Sequence, residues 1–144
     1  GSGPLDQQLK NLVKDLKLEK NIFFLGQKNT HELNKIYLNS DIYIQASGYE
    51  GLPHVILEAI NFNLSIISTP IGGTNEILLN GKNGWVLNLK EDKAPDEFDL
   101  NELIKYVLES KAVDKEKILS AKKYIINNFD EEKNLNKYIQ LLKS

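Results

Sequence analysis

The 144-residue chain is long enough for one hydrophobic core, and its net charge of −2 excludes a global basic field for nucleic acid or an anionic membrane. With no cysteine it has neither a disulfide framework nor a thiolate metal site, and two histidines alone make a metal site a poor expectation. No run of about 18 apolar residues is available to cross a bilayer, no signal-peptide pattern opens the chain, and the absence of Met suggests a start downstream of the translation start.

Apolar residues at Leu5, Leu9, Leu12, Val13 and Leu16 have helical spacing, so a helix is expected over Leu5 to Leu18. Ile22 to Leu25 is a short apolar run closed by Gly26 and reads as a buried strand. Thr30 to Asn39 reads as a helix capped by Asn29 or Thr30. A strand over Ile42 to Ala46 follows, then a helix over Pro53 to Phe62 with proline in its first turn. Leu64 to Ser68 is the next strand and Gly73 to Leu79 a short helix. The turn Asn80 to Gly84 leads into an apolar run, Trp85-Val86-Leu87. Glu91 to Asp99 is a charged loop, and three helices are expected over Leu100 to Glu109, Asp114 to Asn127 and Asp130 to Leu142.

Short apolar strands alternating with helices imply an α/β fold with a parallel sheet covered on both faces. Ligands of such sheets bind at the carboxyl ends of the strands. That places the chemistry in Gln45 to Pro53, Ser68 to Gly73 and Gly26 to Asn29.

Between Ile42 and Gly81 the only charged residues are Glu50, Glu58 and Glu76. Glu58 sits in Val55-Ile56-Leu57-Glu58-Ala59-Ile60, where apolar residues occupy nearly every helical face, so burial is expected. A lone buried carboxylate needs a partner, and the vicinal diol of a ribose offers two hydroxyl donors to its two oxygens. Glu50 lies just before Gly51-Leu52-Pro53 at the mouth of the same helix, whose N-terminus suits a diphosphate. On these features alone an equally good reading pairs Glu58 with a distant lysine and leaves Glu50 solvated. Gly72-Gly73 before Glu76 reads as a second phosphate or sugar contact, or as an ordinary strand-to-helix turn, the latter favoured in isolation. His54, one turn before Glu58, could reach a phosphate or sugar hydroxyl, but a packed or solvated histidine explains it as well. His31 reads as solvated, and Tyr49 as packing more than as pocket lining.

The stretch Glu50-Gly51-Leu52-Pro53-His54-Val55-Ile56-Leu57-Glu58-Ala59 resembles the E-x7-E motif of the GT4 family of retaining glycosyltransferases, which have the GT-B fold. Thr69 to Glu76, Asn80 to Val86, Asn21 to Gly26, Ser40 to Ile44 and Gly1 to Leu5 also resemble the family, so the resemblance covers essentially the whole chain. E-x7-E alone is a weak signal, whereas the ordered set is specific.

The resemblance implies that residues 1–144 are part of a Rossmann-like donor-binding domain, the C-terminal half of a GT-B fold, ending in helices over 100–144. Its first two strands would be missing. Glu50 would contact the donor sugar as the catalytic-site carboxylate, and Glu58 would hold the ribose diol. Backbone N–H groups around Gly51, Leu52, Pro53, His54 and Val55 would hold the diphosphate; Pro53 has no N–H of its own. The Gly26-Gln27-Lys28 turn would face the nucleobase, and Gly72 and Gly73 would line the sugar pocket. No metal or other cofactor is implied.

The expected donor is a nucleoside diphosphosugar, UDP-hexose or UDP-N-acetylhexosamine first. The acceptor is expected to be a glycan or lipid-linked glycan bound by an N-terminal domain outside this sequence, in the cytoplasm at the inner membrane face. Pro53 stands where the family usually has glycine, Asn63 where it has glycine, and Ser65 and Asn75 where it has proline. In the family, an Arg and a Lys on a loop of the missing region neutralise the diphosphate. This chain has no Arg, so the piece alone is expected to be inactive.

Deleting two strands would leave the run at 22–25 separated from the next strand, with the sheet gapped, closed up or completed by another chain. An exposed sheet edge then offers a route to oligomers. The second reading is a non-catalytic Rossmann-like module serving as a scaffold or oligomerisation surface. A dehydrogenase is disfavoured, because no G-x-G-x-x-G followed by an acidic ribose ligand occurs. The lysine-rich C-terminal helices read as solvated faces; they leave a peripheral membrane contact open, but net charge does not favour one.

Overall fold

The computed structural model describes residues 3–48, 51–79, 81–87, 97–109 and 111–129, with side chains excluded at 97–99 and 111–114. Glu50 and Tyr49, most of the loop expected at 91–99 and the helix expected over 130–142 lie outside the described residues. The chain divides into two compact units, Gly1–Asn39 and Ser40–Ser144.

In the first unit, local signals set the elements. Helix α1 spans Asp6–Asp15, with Asp6 in its first turn and Lys10 Nζ 2.6 Å from the Asp6 carboxylate. It ends earlier than the periodicity predicts, because Lys17 takes a left-handed conformation (φ 56°) and the Leu18 N–H folds back onto the Val13 carbonyl at 2.9 Å. Helix α2 spans Thr30–Leu38. Its cap is reciprocal: the Glu32 N–H donates to Asn29 Oδ1 at 3.0 Å, and the Asn29 N–H donates to Glu32 Oε2 at 3.1 Å.

The run Ile22 to Leu25 is not a strand, which corrects the sequence expectation. It has no strand partner among the described residues, and its side chains are exposed, Phe23 by 71%. An apolar run becomes a strand only where a neighbour takes up its backbone donors and acceptors.

The second unit holds a parallel sheet of β1 (Ile42–Gln45), β2 (Ser65–Ser68) and β3 (Trp85–Val86), in that order. Ile42 pairs with Ser65 and Gln45 with Ser68; Ile67 pairs with Trp85. The sheet is contiguous, so no gap opens between its members, and the run at 22–25 stays outside it.

Helix α3 (His54–Asn61) carries the crossover from β1 to β2. It stops through the device expected at Asn63. That residue is left-handed (φ 64°), its N–H donates to the Ile60 carbonyl, and the Leu64 N–H donates to the Ala59 carbonyl. Helix α4 (Thr74–Ile77) precedes β3, and α5 (Glu97–Glu109) and α6 (Lys111–Asn128) follow it. Both begin about three residues earlier than the periodicity suggests.

Strand β2 is buried throughout, while Ile44 on the edge strand β1 is exposed, so burial of β1 is less than expected. Ile67, Trp85, Leu87 and Val107 form the core, with Ile42, Leu100, Leu103 and Ile104 around them. Lys117 on α6 donates to the Gly81 carbonyl, and its ammonium lies 5.3 Å from the Trp85 ring centre. Gly84 is required by close approach, since a Cβ there would stand 2.8 Å from Leu78 Cδ2.

Two predictions follow from these contacts. Asn83 is buried, accepts the Leu79 N–H at 2.6 Å and donates to the Ile77 carbonyl at 2.9 Å. Asn83→Ala leaves a backbone donor and an acceptor without their partner, and is expected to cost about 2 kcal/mol in urea unfolding. Glu32 is held below the ordinary carboxylate range, first by the Asn29 N–H and then by Lys28. The cap it makes is therefore fully present above the ordinary Glu pKa and is lost as pH falls through the lowered one. Following the Glu32 carboxyl carbon by NMR against pH checks this, with Glu32→Gln removing the pH dependence of α2.

Candidate functional site

The carboxyl ends of β1 and β2 open into two loops, 46–53 and 69–73. Among the described residues, two hydrogen bonds join these loops and one more ties the second loop to the end of β1. The Thr69 N–H donates to the Gln45 carbonyl at 3.0 Å, Thr69 Oγ1 donates to the Ser47 carbonyl at 2.9 Å, and the Gly73 N–H donates to the Gly51 carbonyl at 2.8 Å. Gln45 Nε2 adds a bond to Ser47 Oγ at 3.2 Å. The fit around Gly73 is tight, so a side chain there would require its neighbours to give by a few tenths of an ångström. An added Cβ would stand 3.0 Å from Leu52 Cδ1, 3.1 Å from the Gly51 oxygen and 3.1 Å from Leu52 Cα. Gly72 has φ 56°, a left-handed conformation that glycine takes most readily. Gly51, Leu52, Gly72 and Gly73 are thus brought together at one edge of the sheet.

Helix α3 starts at this edge. Pro53 is its N-cap, buried and with no side-chain cap bond, one position before the helix rather than within its first turn. The N–H groups of His54 and Val55 donate to no described residue, while the Ile56 N–H donates to the Pro53 carbonyl at 3.0 Å. Free donors and the helix dipole together favour an anion here.

Glu58 differs from the sequence expectation. It is exposed, not buried, because α3 turns only Ile56, Ala59 and Ile60 inward. Val55, apolar but 36% exposed, shares the outer surface with His54 and Glu58. The apolar run therefore does not bury every face, and the desolvation argument for a ribose at Glu58 lapses. Its position remains: one turn from His54, with no lysine within ion-pair distance among the described residues. Glu76 on α4 is also exposed.

The turn at Gly26, Gln27 and Lys28 belongs to the first unit. Gly26 has φ 66°, and Lys28 Nζ lies 3.3 Å from Glu32 Oε1. His31 is exposed, as expected.

Sequence reasoning missed the polar groups that join the loops. Gln45 and Thr69 are buried, and each interrupts or closes an apolar strand (Ile-Tyr-Ile-Gln and Ile-Ile-Ser-Thr), which is the signal that could have found them.

Among the described residues, no group of three or more His, Asp or Glu is placed to hold a metal ion, and no helix is long and apolar enough to cross a membrane.

Comparison with known proteins bears on this geometry. The sequence profile of the family described as Glycosyl transferases group 1 matches residues 1–125. An uncharacterized glycosyltransferase of Methanocaldococcus jannaschii is 39% identical over 80 residues, which is 54% of this chain and 19% of that protein. The UDP-Gal:alpha-D-GlcNAc-diphosphoundecaprenol alpha-1,3-galactosyltransferase of Escherichia coli is 34% identical over 92 residues, 63% of this chain and 23% of that one. The chain thus spans about a fifth of the length of these relatives.

Among solved structures, the C-terminal domain of a glycosyl transferase group 1 family protein from Francisella tularensis superposes with a TM-score of 0.74 at 22% identity, covering 90% of this chain and 66% of that one. An Anabaena protein in complex with UDP-glucose superposes at 0.78 and 21% identity, covering 98% and 38%. The fold is therefore that of the Rossmann-like C-terminal domain of GT-B glycosyltransferases, with an open parallel sheet.

The tight fit at Gly73 makes a test. Gly73→Ala forces the two loops apart and is expected to cost about 1–3 kcal/mol in urea unfolding. Exchange of the Gly73 amide should rise more than that of amides in β2; uniform exchange across both would mean the loops are not joined through this bond.

Proposed function

Since the chain belongs to the glycosyl transferases group 1 family, we propose that it is the donor-binding part of a retaining glycosyltransferase, taking a nucleoside diphosphosugar with UDP as the nucleotide. The observation that carries this is the start of α3, where the N–H groups of His54 and Val55, which donate to no described residue, stand beside two glycine loops at the carboxyl edge of the sheet. A diphosphate there accepts from the first turn of the helix and is stabilised by its positive end. UDP and UDP-glucose are found with the Anabaena protein of the same fold.

On this reading Glu58 accepts from the ribose hydroxyls, standing one turn beyond the diphosphate on the outer surface of α3. Glu50 meets the hydroxyls of the sugar, a hexose or N-acetylhexosamine, and Gly72 and Gly73 let the sugar approach the backbone closely. The Gly26-Gln27-Lys28 turn reads the base through its backbone. The transfer needs no metal. Its acceptor, a glycan or lipid-linked glycan, binds a further domain of the whole protein at the cytoplasmic face of the membrane. The Escherichia coli relative, named for transfer to a diphosphoundecaprenol-linked sugar, supports an acceptor of that kind.

With no Arg in this chain and no Lys between Ile42 and Gly81, the leaving diphosphate is held here by peptide groups. UDP is therefore expected to bind the 144-residue chain in the millimolar range. Amide signals of His54, Val55 and Glu58 should shift on titration with UDP and saturate. Glu58→Ala should weaken UDP by about tenfold while leaving inorganic diphosphate unaffected. If millimolar UDP moves none of these signals, the donor reading fails for this chain.

A further inference from the structure

A cavity lies at the opposite, amino ends of the strands. Its volume is about 280 Å³, and it is lined by Asp41 before β1, Asn63 and Ser65 at the start of β2, Lys115 on α6, and the apolar Ile42 and Val107. Strand β1 has four residues, so this cavity stands about 13 Å from the α3 edge along the sheet. Ligands of parallel sheets bind at carboxyl ends, so the fold by itself gives no reason for a site here.

The side chains do give one. Ser65 is only 4% exposed, on a strand otherwise built of isoleucine and serine, and its hydroxyl bonds to no described residue. Nor is that hydroxyl sealed off; the strand opens onto the cavity at this point. The hydroxyl therefore faces the water of the cavity, and a ligand hydroxyl can take the place of that water. Around it, the Asp41 carboxylate accepts, the Lys115 ammonium donates, and the Asn63 carboxamide does both. None of these three side chains bonds to another described residue. The two opposite charges leave no net field for an anion or a cation, and both stand in solvent, where ion pairing is weak. The buried part of the site is a hydroxyl beside an aliphatic floor.

We propose that this cavity is a second carbohydrate site, which takes one neutral sugar ring: its hydroxyls on Ser65, Asp41, Asn63 and Lys115, its C–H face on Ile42 and Val107. The volume lies at the small end of ligand pockets, which suits a single ring and not a nucleotide sugar. The site is independent of the donor reading, because it shares no residue with the start of α3 or with the loops 46–53 and 69–73.

NMR titration of the 144-residue chain with glucose, galactose and N-acetylglucosamine tests it. At least one sugar should shift the amides of Asp41, Ile42, Asn63 and Ser65 in a saturable way, leaving His54 and Val55 in place. Ser65→Ala should weaken that sugar by about fivefold to tenfold. Lys115→Ala, an exposed change that does not threaten folding, should weaken it as well. Response of His54 and Val55 to UDP should be the same in both variants and in the parent chain. Three outcomes overturn the proposal: no sugar shifts these amides, both variants bind the sugar as the parent does, or a zwitterionic amino acid such as alanine shifts them where the sugars do not.

Discussion

One backbone hydrogen bond, from the Gly73 N–H to the Gly51 carbonyl, ties the loop after β2 to the loop after β1. Parallel strands cannot be joined by a hairpin. Each connection leaves the carboxyl edge, crosses by a helix and returns at the amino edge, so successive loops meet only if something outside the ladder holds them. Here Thr69 continues the ladder by one residue onto Gln45, its hydroxyl reaches Ser47, and Gly73 completes the set. The direction of α3 relative to the sheet, and with it the aim of its first N–H groups, depends on this seam. A side chain at position 73 would be driven into Gly51 and Leu52.

The charge distribution gives the seam its importance. A transferase must stabilise a diphosphate as it departs, and fixed donors do this at least cost when they do not reorganise. Lysine and arginine side chains are flexible, whereas peptide N–H groups held by a sheet edge are not. A chain that has no arginine, and carries no lysine from Ile42 to Gly81, leaves the work in this region to the backbone. Exposure of Glu58 fits that division. A solvated carboxylate costs nothing in the empty protein, and on the proposed donor reading it would exchange water for ribose hydroxyls when a nucleotide binds.

How much could be read from the sequence follows from how local each determinant is. A cap at Asn29 or Thr30 and a left-handed stop at Asn63 were legible because each is local, whereas the return bond from Asn29 N–H to Glu32 was not read. The three strands of the sheet were legible because their apolar runs are flanked by turn residues. The run at 22–25 has the same composition as a strand, yet strand formation needs a neighbour, which composition does not encode. Glu58 was misjudged for a related reason. Counting apolar positions around a helix says how many faces could be buried, while packing decides how many are, and α3 turns only three of its residues inward. Ser65 was read only as a departure from the family's usual proline, because a lone serine in an apolar strand says no more until the cavity beside it is seen. The role expected of Glu50 falls on a residue outside those described, and rests on the motif alone.

Pro53 brings these points together. At the N-cap, serine, threonine or aspartate would accept a hydrogen bond from the first turn and consume one of its donors. Proline has no such side chain, and its own N–H is missing, so it neither competes for the first turn nor adds a donor to it. It fixes φ at −78° and is buried, which sets the angle at which the loop enters the helix. The usual cost of an uncapped terminus is thereby kept as unspent hydrogen-bonding capacity at His54 and Val55. In a protein fragment with no function at this edge, that capacity would be a plain loss of stability. In a donor site it is what the diphosphate binds, and the seam through Gly73 keeps it aimed.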